Sequence, residues 1–407
     1  MFFPLILSLL PLVADPVALN GKVMAEARAG ESPSFVGQES QLYVSSLLVP
    51  QVELRLRDRR VDFRLAYLPQ LVWQFAPAPP SPARPLILHR AGLSAIGRPT
   101  ATTNLGVQGF GAVGQPDYFA LPQLIGPGQA ALPPVDKILM ASATAAFTKE
   151  LSLRWRLTLT ANVSHFEPYG NIAPTVGTEP GLLRQTTVGG AAGVGVHLTP
   201  IDDLSSAVAV SDAQYANGIE FLLVTPRVTW LRRRPAGDDF QLTLGVSYAR
   251  DLGSVPALVG GPTFLPTGSL SINWHPMRYE GYAMSVGFTS TVEQYVDPVL
   301  RVAGPRALVA GQVQLVIVPS WIIGAYGAFF FSLRQTPLTN DPDETTFALN
   351  VPVRRRFSKN VTMELGGRWS ERGPAFASPN FAFRERQLLA YLQLTVTTED
   401  IMPYGSH

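Results

Sequence analysis

Hydrophobic and polar residues alternate with period two along most of the chain. Between residues 51 and 57, Val52, Leu54 and Leu56 alternate with Glu53, Arg55 and Arg57. A few residues on, Val61, Phe63, Leu65 and Tyr67 alternate with Asp62, Arg64 and Ala66. Over 151–164, Leu153, Trp155, Leu157, Leu159 and Val163 take one side, and Arg154, Arg156, Thr158, Thr160 and Asn162 the other. The cadence returns at 240–248, 269–274, 282–289, 361–369 and 388–396. A β-strand sends successive side chains to opposite faces, so each window reads as a strand with one apolar and one polar face. Helical spacing fits none of them better.

Connections alternate as well. Short turns are expected near 58–60, 97–100, 148–150, 199–203, 233–238, 276–279, 319–320 and 358–360. Between them lie longer Pro- and Gly-rich or polar segments near 76–84, 112–136, 167–184, 251–266, 294–305, 335–344 and 371–385, with a shorter link at 213–218. Strands are then expected at 42–57, 61–75, 86–97, 100–111, 137–148, 151–166, 186–198, 203–212, 219–232, 239–250, 267–275, 280–293, 306–318, 321–334, 345–357, 360–370 and 386–398. An eighteenth, at 20–30, puts both chain ends on the short-turn side and gives the even number that bacterial single-chain barrels use, with sixteen or fourteen as fallbacks.

Composition turns this strand series into a membrane architecture. Charged residues make up only 15% and hydrophobic residues 46%, against about 25% charged in a soluble domain. No uninterrupted run reaches the ~20 apolar residues of a spanning helix. The nearest approach, 313–331, is broken by Pro319 and Ser320 and reads as two strands and a turn. No amphipathic helices are at hand to cover so many apolar strand faces, whereas lipid can cover them, and strands in lipid must close because an unpaired backbone group costs several kcal/mol there. The expected fold is an all-β, transmembrane, antiparallel up-and-down barrel occupying 15–400, with a signal-like apolar segment at 1–14 and a short tail at 401–407. Segment 1–14 has the apolar core of a cleaved secretory signal and small residues near Ala14, although it lacks a basic start and carries Pro4 and Pro11. Trp73, Phe75, Trp155, Trp230, Trp274, Trp321 and Trp369 are candidates for aromatic girdles.

The net charge is +2, and no basic run is interleaved with aromatics, so no nucleic-acid partner is expected. The chain has no cysteine, which excludes disulfides and thiolate metal sites. Its five histidines (His89, His165, His197, His275 and His407) form no HExxH motif and no close pair, so neither a metal nor a cofactor is expected. A GxSxG elbow is absent, and the glycines of TTVGGAAGVGVH lack a phosphate-loop lysine and read as a strand with small lumen-facing residues. His165 beside Ser164 and Glu167 is the one local cluster worth naming, and it reads as a rim histidine rather than a catalytic one. No enzyme is expected. Arginine carries more information. By alternation Arg55, Arg57, Arg64, Arg154, Arg156, Arg227, Arg354, Arg356 and Arg368 point into the lumen near short turns, together with the acidic Glu53, Asp62 and Glu364. Such a set forms either a basic vestibule favouring anionic solutes or a neutralised network that stiffens the wall.

The stretch VELRLRDRRVDFRLAYLPQLVWQF, then RPLILHR and the strand-turn-strand cadence over about 40–398, resembles porin-like bacterial outer-membrane β-barrel proteins. The resemblance implies a bacterial outer-membrane location, contact with outer-membrane lipid and insertion by the barrel-assembly machinery. Such barrels often end on an aromatic residue, whereas here the last strand reads AYLQLTVTT and EDIMPYGSH follows. An eighteen-stranded barrel is wide enough for an aqueous lumen, so a channel or transporter for small solutes or lipids is the leading expectation. The alternative is a structural or secretion-partner barrel plugged by its own loops, for which the apolar segment 112–136 is suited. Nothing in the sequence fixes an oligomeric state.

Overall fold

The computed structural model describes residues 17–31, 42–76, 85–116, 137–169, 184–216, 218–234, 237–253, 263–279, 282–297, 302–318, 320–332, 344–374 and 385–398. The signal-like segment, the tail and most of the long connections, including 117–136, lie outside these residues. Among the described residues every regular element is a strand: β1 (Val17–Glu31), β2 (Leu42–Arg57), β3 (Val61–Tyr67), β4 (Gln70–Ala76), β5 (Leu86–Thr100), β6 (Thr103–Gly114), β7 (Lys137–Glu150), β8 (Trp155–Tyr169), β9 (Gln185–His197), β10 (Asp202–Tyr215), β11 (Glu220–Arg233), β12 (Asp239–Asp251), β13 (Thr263–Tyr279), β14 (Tyr282–Asp297), β15 (Val302–Val318), β16 (Trp321–Ser332), β17 (Glu344–Arg356), β18 (Val361–Pro374) and β19 (Glu385–Thr398).

Each strand pairs antiparallel with its neighbours in sequence, and β19 returns to pair with β1, so the sheet is closed. The segments β3 and β4 are one spanning strand. Both pair with β2 on one side and β5 on the other, and the offset against β2 is the same before and after Leu68-Pro69. Pro69 has no N–H to give the ladder, which interrupts it locally without shifting it. The molecule is therefore an eighteen-stranded barrel, as the alternation predicts, and the first strand stands where the sequence puts it.

Stepping from each residue to its partner once around the wall returns to β1 displaced by about 22 residues, which at ~3.3 Å per residue and ~4.8 Å between strands tilts the strands about 40° from the axis. Eighteen strands at that tilt enclose a backbone cylinder about 35 Å across. Most strands run 12 to 17 residues, enough to span a hydrocarbon band of ~25 Å at that tilt with a polar rim at each end.

The two faces of the wall differ in kind. Outward positions carry the exposed large hydrophobics, among them Val52, Leu65, Val163, Val208, Leu365 and Leu394, with Leu244 reaching 62% exposure. Buried hydrophobics within strands, such as Val49, Leu88, Phe221, Phe330 and Tyr391, all occupy inward positions. A water-soluble domain places its apolar residues the other way round. Hydrocarbon satisfies the outward face, and the paired backbone satisfies itself. Outward aromatics gather at the two ends. Trp155, Trp230, Phe240, Trp274 and Trp321 stand near the short turns, whereas Tyr248, Phe264, Phe347 and Trp369 stand near the long connections. Trp230 and Phe240 meet edge to face at 5.3 Å, and so do Phe347 and Trp369 at 5.1 Å.

The short turns differ from expectation in detail. The β7–β8 turn spans 151–154 rather than 148–150, so Leu153 is 99% exposed in it and alternation begins only at Trp155. Ser152 explains the shift: its hydroxyl accepts from the backbone N–H of Trp155 at 3.1 Å and closes a local turn. At the β5–β6 and β13–β14 connections the strands continue through the residues expected to turn, to Thr100 and Tyr279, with bulges at Gly97/Thr100 and Trp274/Met277 absorbing the extra residues.

Candidate functional site: the inner wall

Inward side chains form several ionic groups, three of which join more than two side chains. On β2 and β3 the Arg55 guanidinium grips Asp62 with two hydrogen bonds, Nε at 3.1 Å and Nη2 at 2.7 Å, and Arg64 Nη2 reaches the same carboxylate at 3.2 Å. Two cations share one carboxylate there because Arg55 and Arg64 are directly opposed across the β2–β3 ladder. Glu53 lies on the same face two residues before Arg55.

A second group crosses the seam where the barrel closes. Arg354 of β17 donates to Glu364 of β18 through Nε at 2.9 Å and Nη2 at 2.7 Å. The Tyr391 hydroxyl of β19 donates to the other Glu364 oxygen at 2.8 Å and lies 3.2 Å from Asn350 Oδ1. The Arg368 guanidinium stacks 4.3 Å over the Tyr391 ring and pairs at 3.6 Å with Glu26 of β1, which also pairs with Arg28. Glu26, Arg28, Glu364 and Tyr391 are all buried. Buried charge is costly unless it is paired and hydrogen-bonded, and this chain of contacts supplies partners across β1, β17, β18 and β19.

A third group stands at the turn end of β7–β11. His197 bonds Asp203, lies 3.8 Å from Glu150 through Nε2, and shares Asp203 with Arg233 at 3.3 Å. Among the described residues, no group of three or more His, Asp or Glu side chains has a metal-holding arrangement.

Each residue singled out from the sequence has a definite place. Arg55, Arg57, Arg64, Arg156, Arg227, Arg354, Arg356 and Arg368 occupy inward register positions, as do Glu53, Asp62 and Glu364. Arg154 instead lies exposed in the β7–β8 turn. Arg356 folds back on its own turn, donating to the Ser358 and Lys359 carbonyls at 3.2 and 3.5 Å. Arg156 lies against the bare Gly195 of β9, where an added Cβ would meet its guanidinium at 3.4 Å. Gly189, Gly193 and Gly195 face inward as expected, while Gly190 faces out. Ser164 and His165 point to opposite faces: Ser164 is inward opposite Ser142, and His165 is outward, bonded to Thr186 at 2.9 Å and 3.5 Å from Glu167. Sequence reasoning missed Glu26, Arg28, Tyr391, Arg306 with Glu293, and the His197 group. Glu26 and Arg28 carried a signal, two opposite charges at period-two spacing in an otherwise small-residue strand.

Towards the long connections the inner wall also carries apolar patches. Buried clusters form from Leu88, Ala112, Ile138 and Phe166, from Leu47, Val49 and Val72, and from Ile219, Phe221 and Ala249. The turn end of the lumen is thus mainly ionic, while the other end mixes apolar clusters with the Arg28–Glu26 and Arg306–Glu293 pairs.

No protein-family model and no curated protein matches the chain. Among solved structures it is similar to OpdL of Pseudomonas aeruginosa, at 12% identity and a TM-score of 0.47 over 94% of this chain and 99% of that one. OccK2 (OpdF) of the same organism, solved in complex with glucuronate, aligns at 13% identity and TM-score 0.46 over 94% of this chain and 98% of its own. OccAB1 of Acinetobacter baumannii aligns at 10% and 0.46, over 93% of this chain and 96% of that one. Likeness at that level assigns neither a family nor a solute to this chain.

Proposed function

We propose that the chain is a bacterial outer-membrane channel that passes small solutes through its lumen and favours anions. The observation that carries this reading is the contrast between faces: an apolar, exposed outer belt around a wide cylinder whose inner wall is lined by charged and hydroxyl side chains. A closed barrel needs no inward polar residues for its own backbone pairing, so a polar lining serves water and what is dissolved in it. In the turn half, Arg227 stands inward between Ala207 and Gly245 with no acidic side chain directly across either ladder, and Arg156 stands inward between Gly195 and Glu150. A positive bias of that kind favours anions. No catalytic role is proposed for His165, because Ser164 faces away from it.

Reversal potentials of single channels in a potassium chloride gradient test the reading. The expected result is a chloride-favouring potential that moves towards zero when Arg156 and Arg227 are both replaced by Gln. A cation-favouring potential overturns the anion preference, and absence of any conductance by folded protein overturns the channel.

A second reading has an observation of its own. The three apolar clusters on the inward face at the loop end are poorly suited to open water. They favour a barrel filled at that end and used for anchoring or as a secretion partner. Folded protein that inserts into bilayers without conducting supports this alternative.

A further inference from the structure

From a recess in the lumen wall we propose a binding subsite for a small, neutral, polyhydroxylated solute of monosaccharide size. The proposal rests on the channel reading and adds to it a place and a ligand class.

The recess has a volume of about 370 Å³ and is formed by two adjacent inward rows of the wall across β2, β3, β5, β6 and β7. One row runs Glu53, Ala66, Gly92, Phe110, Ser142, each directly opposite the next. The other runs Arg64, Ser94, Gln108, Thr144. The hollow exists because small residues, Ala66, Gly92 and Ser94, stand between the charged side chains on one side and Phe110 and Gln108 on the other. Gly92 is not required by the backbone: an added Cβ would meet nothing nearer than the Gly109 carbonyl oxygen at 3.8 Å. What its missing side chain provides is open space facing the lumen.

The chemistry of the lining selects the ligand. Among the described residues, the side chains of Glu53, Ser94, Gln108, Ser142 and Thr144 make no hydrogen bond to protein, so their donors and acceptors are free for a solute. Four of these five are uncharged. The surrounding charges, Arg55 and Arg64 against Asp62 and Glu53, cancel. An anion meets Glu53, with Arg64 already held by Asp62, and a cation meets the Arg64 guanidinium, the one arginine of the lining. A neutral polyol pays neither penalty, and its hydroxyls match a lining of amide, hydroxyls and one carboxylate acceptor. The Phe110 ring offers an apolar face to the C–H side of a sugar ring. The volume sits at the low end of the ~300–1,000 Å³ of small-molecule sites, and a shallow, single-sided site suits a conduit, which must release what it binds.

D-glucose is the probe, with gluconate and L-alanine as charged and zwitterionic comparators. Two measurements are made: block of ionic current in planar bilayers, and calorimetric titration of the folded protein in detergent. Glucose is expected to block saturably and more strongly than either comparator. Gln108→Ala, and Gly92→Val, which fills the hollow, are each expected to raise the half-blocking concentration about three- to tenfold. The unboiled gel band certifies folding of each variant, and Gln108→Ala decides the matter if Gly92→Val does not fold. Glucose without saturable effect in both measurements, an unchanged glucose response in Gln108→Ala, or stronger action by gluconate or alanine overturns the proposal. Calorimetric binding of glucose with the same variant pattern, in a protein that never conducts, upholds the subsite and overturns the channel instead.

Discussion

Single residues show how closely the wall is fitted at its seam. At Gly30, where β1 meets β19, an added Cβ would lie 2.1 Å from the Leu388 carbonyl oxygen, within the pairing that closes the barrel. Backbone rather than a flexible side chain opposes it, so the strands must part. Gly30→Ala is expected to cost about 1–3 kcal/mol, read as a lower urea midpoint of protein folded into lipid vesicles; an unchanged midpoint contradicts that view of the seam. Glu364 is the other sensitive position, since it accepts from both Arg354 and Tyr391. Glu364→Gln leaves Arg354 without its carboxylate, and because that guanidinium is partly open to the lumen the expected cost is about 1 kcal/mol. These features were hardly legible in the sequence. Glu364 was visible as an inward acid, but nothing along the chain joins it to Tyr391 or brings Arg368 to Glu26, because such contacts depend on the closing register between the first and last strands.

At the scale of the element the sequence was far more informative, for a physical reason. A strand between lipid and water must keep strict period two, since a slip by one residue reverses every side chain. β12 keeps it from Phe240 to Tyr248 and β8 from Trp155 to Ser164, so the faces of both stretches and the span of β12 were readable directly. β2 keeps it only in its turn half: Leu42 to Pro50 is apolar on both faces, because Leu47 and Val49 belong to an inward apolar cluster. Alternation is lost wherever the inner wall is itself apolar, and the boundaries then rest on turn chemistry, which misplaced Leu153 and Arg154. The asymmetry of the faces gives a sharp expectation for β12. Leu244→Arg, at an outward position in mid-strand, is expected to destabilise the folded barrel by about 2–4 kcal/mol in vesicles. Thr243→Arg, one residue away and facing the lumen, is expected to cost far less. Equal costs contradict the assignment of faces.

For the whole molecule, everything follows from which solvent meets which side of the sheet. The large outward hydrophobics are stable only against hydrocarbon, and the buried ionic seam only against a partly filled or watered interior. A cylinder about 35 Å across has room for solute, for water, or for its own connections, so conductance distinguishes a channel from a plugged scaffold, while both require the barrel in a membrane. That requirement is tested most directly by folding the purified chain into phospholipid vesicles, washing them with urea, and comparing unboiled with boiled samples on a detergent gel. The protein is expected to stay with the vesicles and to migrate as a distinct, compact band until it is boiled. A chain that leaves the vesicles and remains monomeric and folded in buffer without detergent contradicts it.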